Sequence, residues 1–310
     1  MNFSKKYLYI SVSSIVFLVI LIYICLSIYI TTIAIKATRK VPEVNPSSVD
    51  LDFTEDIFVT EDNIKLSGWF IKNKNPQTVI MIHGVDSNKS DGYMLDLIKD
   101  VYEMDYSIFA FDLRAHGDSE GNNLGLAYVE RKDLKASINY LRDYYAIEDM
   151  VLYGISYGGT IVLSNSSMDP AIKGIIADSP FYDLPELMAA EVSSRTFIPE
   201  SIAKLLKFGI IRSIDFLYDI ETNDIISGLN SINNFERPIL LYHCLDDDRI
   251  PISHSDRINQ FSPEGSKYQV YEKCEHAKGY EYYEEDYLNN LKKYIDKNYG
   301  NLLIIWDRIF

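Results

Sequence analysis

The chain has 310 residues, 47% of them hydrophobic and 24% charged, with a formal net charge of −15 at pH 7. This composition is typical of a protein with a packed core and excludes a chain that is disordered throughout. The acidic excess argues against a nucleic-acid partner, because phosphate binding depends on clustered Lys and Arg. The three cysteines include no pair at CxxC spacing, which excludes a zinc ribbon.

The first element is an apolar segment from Tyr7 to Ile35 that contains no charged side chain. About 20 apolar residues are enough to cross a bilayer as a helix, so the segment predicts a membrane span. A buried core helix is rarely this long, and the apolar region of a cleaved signal peptide has about 7 to 15 residues. We therefore expect residues 1–40 to form an uncleaved, single-pass anchor in the cell membrane, with the lipid bilayer around residues 7–35.

Basic residues flank the apolar segment on both sides, so the positive-inside rule favours neither orientation. The flanking basic residues are Lys5, Lys6, Lys36, Arg39 and Lys40.

Residues 41–50 contain two prolines together with Asn and Ser, a composition typical of an extended linker.

Beyond residue 50, short runs rich in Val, Ile, Leu and Phe alternate with helical patterns. The runs DIFVT and IKLSGWFI are separated by EDN and predict a hairpin. Helices are expected at residues 126–145 and 282–297. Strands that alternate with helices predict a parallel sheet covered on both faces, so the fold class is α/β, doubly wound. The other predicted strands are 78–83, 106–112, 149–155, 172–178, 237–244 and 267–272.

Ser156 lies between a predicted strand and a helix that begins near Tyr157. Gly154 and Gly158 complete the pattern G-x-S-x-G, which in this context is typical of a nucleophile elbow. The serine must occupy a strained turn, and the glycines remove Cβ atoms that would collide as strand and helix approach each other. The pattern predicts a nucleophilic hydroxyl, and a glycine-rich turn without chemistry is the alternative.

A serine hydroxyl needs a base that is oriented by a third group. Of the five histidines, His276 follows the last predicted strand, where a loop can carry it over Ser156, and it is the candidate base. Histidines at strand ends are expected to make local hydrogen bonds. The other four are His83 and His243 at strand ends, His116 in an earlier loop and His254 at the start of a helix.

The stretch HCLDDDRIP supplies carboxylates that can orient the imidazole. The aspartates at 246–248 are the first choice, because the chain order Ser, Asp, His matches the motif's fold. Asp178, which ends the preceding strand, is the second choice, and a solvated acidic turn is the alternative. The same aspartates with His243 or His254 could bind a divalent ion. No second ligand cluster is visible in the sequence, so neither a metal nor another cofactor is expected.

These motifs together resemble the α/β-hydrolase superfamily, and within it the membrane-anchored bacterial serine hydrolases grouped with esterases and serine aminopeptidase-like proteins. The resemblance covers most of residues 55–297. It implies that Ser156 in GISYGG is the nucleophile and that His276 in EHAKGY is the base. Aligning the Ile-Pro of HCLDDDRIP with the Val-Pro of the family motif implies that Asp247 is the acid.

The resemblance also implies an oxyanion hole. IHGVDSNK is similar to the His-Gly stretch that follows the third strand in this family, here His83 and Gly84. The backbone N–H groups of Val85 and Tyr157 would then form the oxyanion hole. FDLRAHGDSEG resembles the motif D-x-R-G-H-G-x-S-x-G, with Ala115 where the motif has glycine.

Residues 51–300 are expected to form the hydrolase domain, with a cap insertion at about 180–236 and an apolar C-terminal tail at 301–310. The tail is too short to span a membrane. Within the insertion, SIAKLLKFGIIRSIDFLY predicts an amphipathic helix whose apolar face packs on the core or meets the substrate. That face consists of Ile202, Leu205, Leu206, Ile210, Ile214 and Leu217.

Cys244 and Cys274 follow neighbouring predicted strands, and Cys244 stands where the family motif has glycine. A disulfide between them is conceivable if the domain faces an oxidising compartment, but we expect two free thiols in the core. The family resemblance favours an extracytoplasmic catalytic domain.

The combined prediction is a membrane-anchored serine hydrolase that cleaves a carboxylic ester or thioester through an acyl-enzyme. Its small-molecule substrate is expected to carry a hydrophobic acyl group. The alternatives are an amide hydrolase of the peptidase or aminopeptidase type, an acyltransferase, and a non-enzymatic scaffold or binding module on the membrane.

Overall fold

The computed structural model describes residues 3–221 and 228–306. These residues form two compact units. The smaller unit contains the chain up to Lys36 and the inserted segment that begins at Leu184. The larger unit contains the chain from Ala37 to Asp183 and the chain that follows the insertion.

The larger unit is built on a mostly parallel sheet. Its strands are β1 (Thr54–Val59), β2 (Lys65–Ile71), β3 (Thr78–Ile82), β4 (Ser107–Phe111), β5 (Met150–Ile155), β6 (Ile172–Asp178), β7 (Leu240–Cys244) and β8 (Lys267–Tyr271). The eight strands lie in the order β1-β2-β4-β3-β5-β6-β7-β8. β2 pairs antiparallel with β1 and β4, and all other neighbours pair in parallel. β3 to β7 are almost entirely buried, as expected for continuous apolar runs covered on both faces.

Helices separate most of the strands, so the predicted doubly wound α/β class is confirmed. They are α1 (Phe3–Ala34), α2 (Met94–Glu103), α3 (Arg131–Tyr145), α4 (Tyr157–Ser164), α5 (Leu184–Arg195), α6 (Glu200–Tyr218), α7 (Ser253–Asn259), α8 (Gly279–Tyr282) and α9 (Glu284–Trp306). α9 continues past the predicted end at 297, so residues 301–306 of the predicted tail are helical. Residues 307–310 lie outside the described chain. In the predicted linker, Asn45 caps a short 3-10 turn, Pro46–Val49.

The smaller unit consists of α1, α5 and α6. Within α1, Tyr9–Ala34 is long and apolar enough to cross a membrane, and it is the one such helix among the described residues. The sequence treats this helix and the insertion as separate elements, but α6 packs along α1. The N–H of Gly209 donates to the hydroxyl of Tyr23 at 3.0 Å, and the hydroxyl of Thr31 donates to the carbonyl of Ile210 at 3.4 Å.

The buried face of α6 differs from the predicted one. Leu206, Ile210 and Ile214 are buried as expected, but three members of the predicted face are exposed: Ile202 at 41%, Leu205 at 72% and Leu217 at 42%. The buried face instead includes the small residues Ala203 and Ser213.

Residues 37–40, which the sequence groups with the anchor, belong to the larger unit. The guanidinium of Arg39 donates to four backbone carbonyl oxygens within residues 116–121, at 2.5 to 3.3 Å. The N–H of Thr38 donates to a carboxylate oxygen of Asp86 at 2.8 Å. The chain that leaves α1 is therefore tied to the loops that follow β3 and β4.

Two buried imidazoles hold these loops together. His83 Nε2 accepts the N–H of Leu113 at 3.1 Å, and His116 Nε2 accepts the N–H of Asp86 at 3.1 Å. Burial lowers the pKa of both rings, that of His116 to about 4. Both rings are therefore neutral at pH 7 and can act as acceptors.

Ala115, the departure from the family motif, has a φ of 64°. This left-handed backbone suits glycine and costs an alanine about 1 kcal/mol. The N–H of Ala115 donates to the carbonyl of Glu120 at 2.8 Å, which helps to keep the loop in this conformation.

Cys244 and Cys274 form a disulfide, so the expectation of two free thiols is wrong. β7 and β8 pair in parallel with Cys244 opposite Tyr271, and this register brings the two cysteine Cα atoms within 5.3 Å. Parallel neighbours end at the same edge of the sheet, and residues that follow them can therefore meet. The bond ties together the loops that carry Asp247 and His276.

Removing this disulfide by Cys244→Ala and Cys274→Ala should lower the free energy of unfolding. The bond closes a loop with a sequence separation of 30, which corresponds to about 3 to 4 kcal/mol in the chain-entropy model. Chemical denaturation of the detergent-solubilised protein measures the difference. Cys25→Ala, which removes the exposed free thiol of α1, is the control and should leave stability unchanged. A double variant as stable as the parent protein would contradict the prediction.

Stability should also fall in mild acid because of His116. Its pKa is lowered from its usual value of 6.5 to about 4, so the unfolded chain takes up the proton first as the pH decreases. The contribution is present above about pH 6.5 and is lost towards about pH 4. Between pH 7 and pH 5 it amounts to roughly 2 kcal/mol. Denaturation at both pH values measures the loss, and His116→Asn should show a shallower pH dependence. An equally steep dependence in this variant would rule out His116 as the source.

Candidate active site

Ser156 occupies a sharp turn between β5 and α4. Its φ is 53° and its ψ is −113°, a strained conformation for a residue with a Cβ atom. A Cβ atom on Gly154 would lie 2.3 Å from the carbonyl oxygen of Gly158, and one on Gly158 would lie 2.5 Å from that of Ile82. The flanking glycines are therefore required by the close approach of backbone to backbone, as the motif predicts.

The structure brings Ser156, His276 and Asp247 into one hydrogen-bonded chain. His276 Nε2 lies 2.9 Å from the hydroxyl oxygen of Ser156, and His276 Nδ1 lies 2.7 Å from a carboxylate oxygen of Asp247. A carboxylate only accepts, so Nδ1 carries the proton and donates it to Asp247. Nε2 is then free to accept the hydroxyl proton of Ser156.

Asp247 is fixed by its own turn. Its second carboxylate oxygen accepts the backbone N–H groups of Arg249 at 3.0 Å and Ile250 at 2.7 Å. Its side chain is buried, whereas Asp246 and Asp248 are exposed. Of the three aspartates in the acidic turn, only Asp247 is oriented towards His276.

Asp178, the second choice for the acid, lies buried at the end of β6. Its carboxylate accepts the hydroxyl groups of Tyr93 at 3.2 Å, Tyr287 at 2.9 Å and Ser179 at 2.9 Å. Burial raises the pKa of this carboxyl group. Its backbone carbonyl accepts the N–H of Ser156 at 2.7 Å. Asp178 therefore helps to hold the backbone of the serine turn in place.

The remaining histidines make local hydrogen bonds. His243 Nε2 donates to the carbonyl of Ile250 at 2.9 Å, and its Nδ1 accepts the hydroxyl of Ser255 at 2.8 Å. Burial lowers the pKa of His243. His254 Nδ1 accepts the N–H of Tyr182 at 3.2 Å.

Within the described ranges, no group of three or more His, Cys, Asp or Glu side chains could hold a metal ion.

The predicted oxyanion donors lie next to Ser156. Val85 and Ser156 line the same cleft, and a Cβ atom on Gly84 would lie 3.5 Å from that of Ser156. Tyr157 is the first residue of α4, where a backbone N–H has no acceptor within the helix. The Tyr157 hydroxyl is anchored, since it donates to Glu130 at 2.8 Å and accepts the N–H of Ala127 at 2.6 Å.

The cleft above Ser156 has a volume of about 210 Å³. Its lining includes Tyr93, Arg249, Lys278 and Glu281, which no sequence motif indicated. Arg249 and Lys278 each lie two residues after a predicted triad member, so their position in the chain could have indicated them. Tyr93 and Glu281 carry no comparable signal, because α2 and α8 bring them to the cleft.

The family model described as Hydrolase_4, Serine aminopeptidase, S33, matches residues 73–216. The uncharacterized membrane protein YNL320W of Saccharomyces cerevisiae is 26% identical to this chain over 229 residues. The matched region covers 72% of each of the two chains.

Solved structures share the fold. The esterase Pf2001 of Pyrococcus furiosus superposes with a TM-score of 0.70 at 24% identity, covering 85% of this chain and 99% of that chain. The α/β hydrolase GrgF from Penicillium sp. sh18 gives a TM-score of 0.65 at 17% identity, covering 81% and 100%. With the sheet order and the serine turn, these likenesses show that the chain has the α/β-hydrolase fold.

Proposed function

We propose that the protein is a membrane-anchored serine hydrolase that cleaves carboxylic esters or thioesters. The observation that carries this proposal is the hydrogen-bonded chain from Ser156 through His276 to Asp247. A hydroxyl becomes a good nucleophile when a neighbouring imidazole can take its proton, and the carboxylate keeps that imidazole in the required tautomer.

The reaction proceeds in two steps. The Ser156 oxygen attacks the acyl carbonyl carbon while its proton passes to His276 Nε2, and Asp247 stabilises the resulting imidazolium. The backbone N–H groups of Val85 and Tyr157 donate to the oxyanion, each contributing about 3 kcal/mol of barrier lowering. The alcohol or thiol leaves with the proton from His276. Water, deprotonated by His276, then attacks the acyl-enzyme carbonyl, and the bond to Ser156 breaks as His276 returns the proton to the Ser156 oxygen and the acid is released.

Two features support a hydrophobic acyl group as substrate. The apolar helix Tyr9–Ala34 would hold the enzyme at a bilayer, where acyl compounds concentrate. The structural relative Pf2001 is named an esterase, which favours ester over amide chemistry. The matched family model is described as serine aminopeptidase, so an amide substrate is the alternative to be tested.

The disulfide between Cys244 and Cys274 supports an extracytoplasmic hydrolase domain, because disulfides persist in oxidising compartments. The relative YNL320W is named a membrane protein, which supports the anchor. The side of the membrane is inferred from the disulfide and the family resemblance.

Ser156→Ala should abolish turnover and labelling by a fluorophosphonate probe, because the probe reacts only with an activated serine. The variant should keep its fold, as thermal unfolding would show. Ser87→Ala is the matched control, since Ser87 lines the same cleft and should not be needed for labelling. Retained labelling of Ser156→Ala would refute the assignment.

The same preparation then distinguishes the substrate classes. We expect turnover of p-nitrophenyl esters to persist or rise with acyl chain length and to exceed turnover of aminoacyl amides. Cleavage of only the shortest ester would contradict a hydrophobic acyl substrate, and preferred cleavage of the amide would favour the peptidase alternative.

Asp247→Asn should lower kcat by about 10³ to 10⁴-fold, since an amide cannot hold the imidazole in the required tautomer. Asp178→Asn should have a much smaller effect, because its carboxylate is held by tyrosine and serine hydroxyls. Steady-state kinetics of the two variants side by side provides the comparison. A larger loss in Asp178→Asn would identify that residue as the acid.

A further inference from the structure

We propose that α6 is a membrane-embedded helix whose exposed apolar face contacts the acyl chains of the leaflet around α1. The lipid-facing surface consists of Leu205, Phe208 and Phe216, flanked by Ile202 and Leu217. The proposal rests on the membrane anchor of the proposed function and extends it. The insertion is then a second bilayer-contacting element of the enzyme, beside the span itself.

The first observation is the close packing of α6 on α1. A Cβ atom on Gly209 would lie 2.2 Å from the hydroxyl oxygen of Ser27 and 2.8 Å from the ring of Tyr23. Ser27 and Thr31 are buried. Small residues that let two backbones approach are typical of helix pairs within membranes.

The second observation is the depth of this contact along α1. The apolar window Tyr9–Ala34 has 26 residues, and about 20 of them are enough to cross the hydrocarbon core. A core of about 20 residues that begins at Tyr9 leaves at most about six residues of this window outside it at the C-terminal end. Tyr23 precedes Ala34 by eleven positions and therefore lies within the core. Its hydrogen bond to the N–H of Gly209, at 3.0 Å, places the middle of α6 at the same depth.

The third observation is the outward face of α6. Leu205, Phe208 and Phe216 are 72%, 66% and 87% exposed, and large side chains of this kind are rarely clustered on a surface that meets water. Basic residues lie among them, and the guanidinium of Arg212 lies 5.4 Å from the ring centre of Phe208. A helix among acyl chains can carry Lys and Arg because their long side chains extend towards the headgroups. Two of these cations also pair with acids of α6, Lys204 with Glu200 at 2.7 Å and Arg212 with Asp215 at 3.6 Å. The basic residues of α6 are Lys204, Lys207 and Arg212.

Lipid is the occupant that these observations favour. Ile24 and Ile28 lie on α1 at the level of the Gly209 contact, where α6 does not cover them, and they are 47% and 37% exposed. In a bilayer, acyl chains cover these two residues. The same acyl chains contact α6, which packs on neighbouring residues of α1. The apolar surface of the span therefore continues onto α6.

The test measures depth in a bilayer with the full-length chain. Cys25→Ala removes the exposed thiol, and an environment-sensitive fluorophore is then attached at Phe208→Cys or Phe216→Cys. Phe17→Cys, on the exposed surface of α1, is the lipid reference. Tyr144→Cys, on α3 and 69% exposed, is the water reference. The proteins are reconstituted into phosphatidylcholine–phosphatidylglycerol vesicles with and without bromine on the acyl chains.

We expect the probes at 208 and 216 to lose intensity in brominated vesicles as the probe at 17 does, while the probe at 144 does not. Probes at 208 and 216 that behave like the probe at 144, with 17 quenched, would overturn the embedding of α6 and leave the anchor intact. An unquenched probe at 17 would overturn both. Fluorophosphonate labelling of Ser156 in the same vesicles reports the hydrolase activity and the fold of each variant independently of depth.

Discussion

The close approach of β5 and α4 around Ser156 is the constraint on which the site depends. Glycine at 154 and 158 lets the strand, the helix and the end of β3 meet at distances that a Cβ atom would forbid. The serine between them is forced to a positive φ of 53°, which turns its hydroxyl out of the sheet. Tertiary contacts maintain this strained backbone conformation, and one of them is the hydrogen bond from the Ser156 N–H to the carbonyl of Asp178.

The loops around this turn are held by buried polar groups that take no part in bond breaking. His83 and His116 are neutral because burial lowers their pKa, and each accepts a backbone N–H of a neighbouring loop. The ammonium of Lys89 lies 2.5 Å from the carboxylate of Asp112, and the same carboxylate accepts two backbone N–H groups. A buried charge of this kind persists only when it is fully paired. Together with the disulfide, these contacts hold the loops around Ser156 in place.

The packing of α1 against α6 follows a different physical rule. α1 and α6 meet closely at Gly209, where Ser27 and Tyr23 lie against the backbone of α6, and through hydrogen bonds of Tyr23 and Thr31 to that backbone. Large apolar side chains of α6 remain exposed. In water such an arrangement would expose the apolar surface that folding normally removes. In lipid the same arrangement is stable, because acyl chains cover the exposed apolar side chains and close backbone packing replaces the hydrophobic effect as the source of helix association.

The sequence by itself determined the α/β class, the serine turn and the apolar span, since each depends on local periodicity or on a motif whose residues are neighbours in the chain. It ranked Asp247 and His276 through chain order and family resemblance. The order of strands in the sheet decides that His276 meets Ser156, 120 residues away, and Asp247, 29 residues away. A disulfide between Cys244 and Cys274 was considered but not expected for the same reason, since the parallel register of β7 and β8 is what brings the two residues together. The apolar face predicted for α6 also differs from the buried face of the structure, since Leu205 is exposed. An amphipathic pattern shows that a helix has an apolar side, but only the neighbour against which it packs decides which residues are covered.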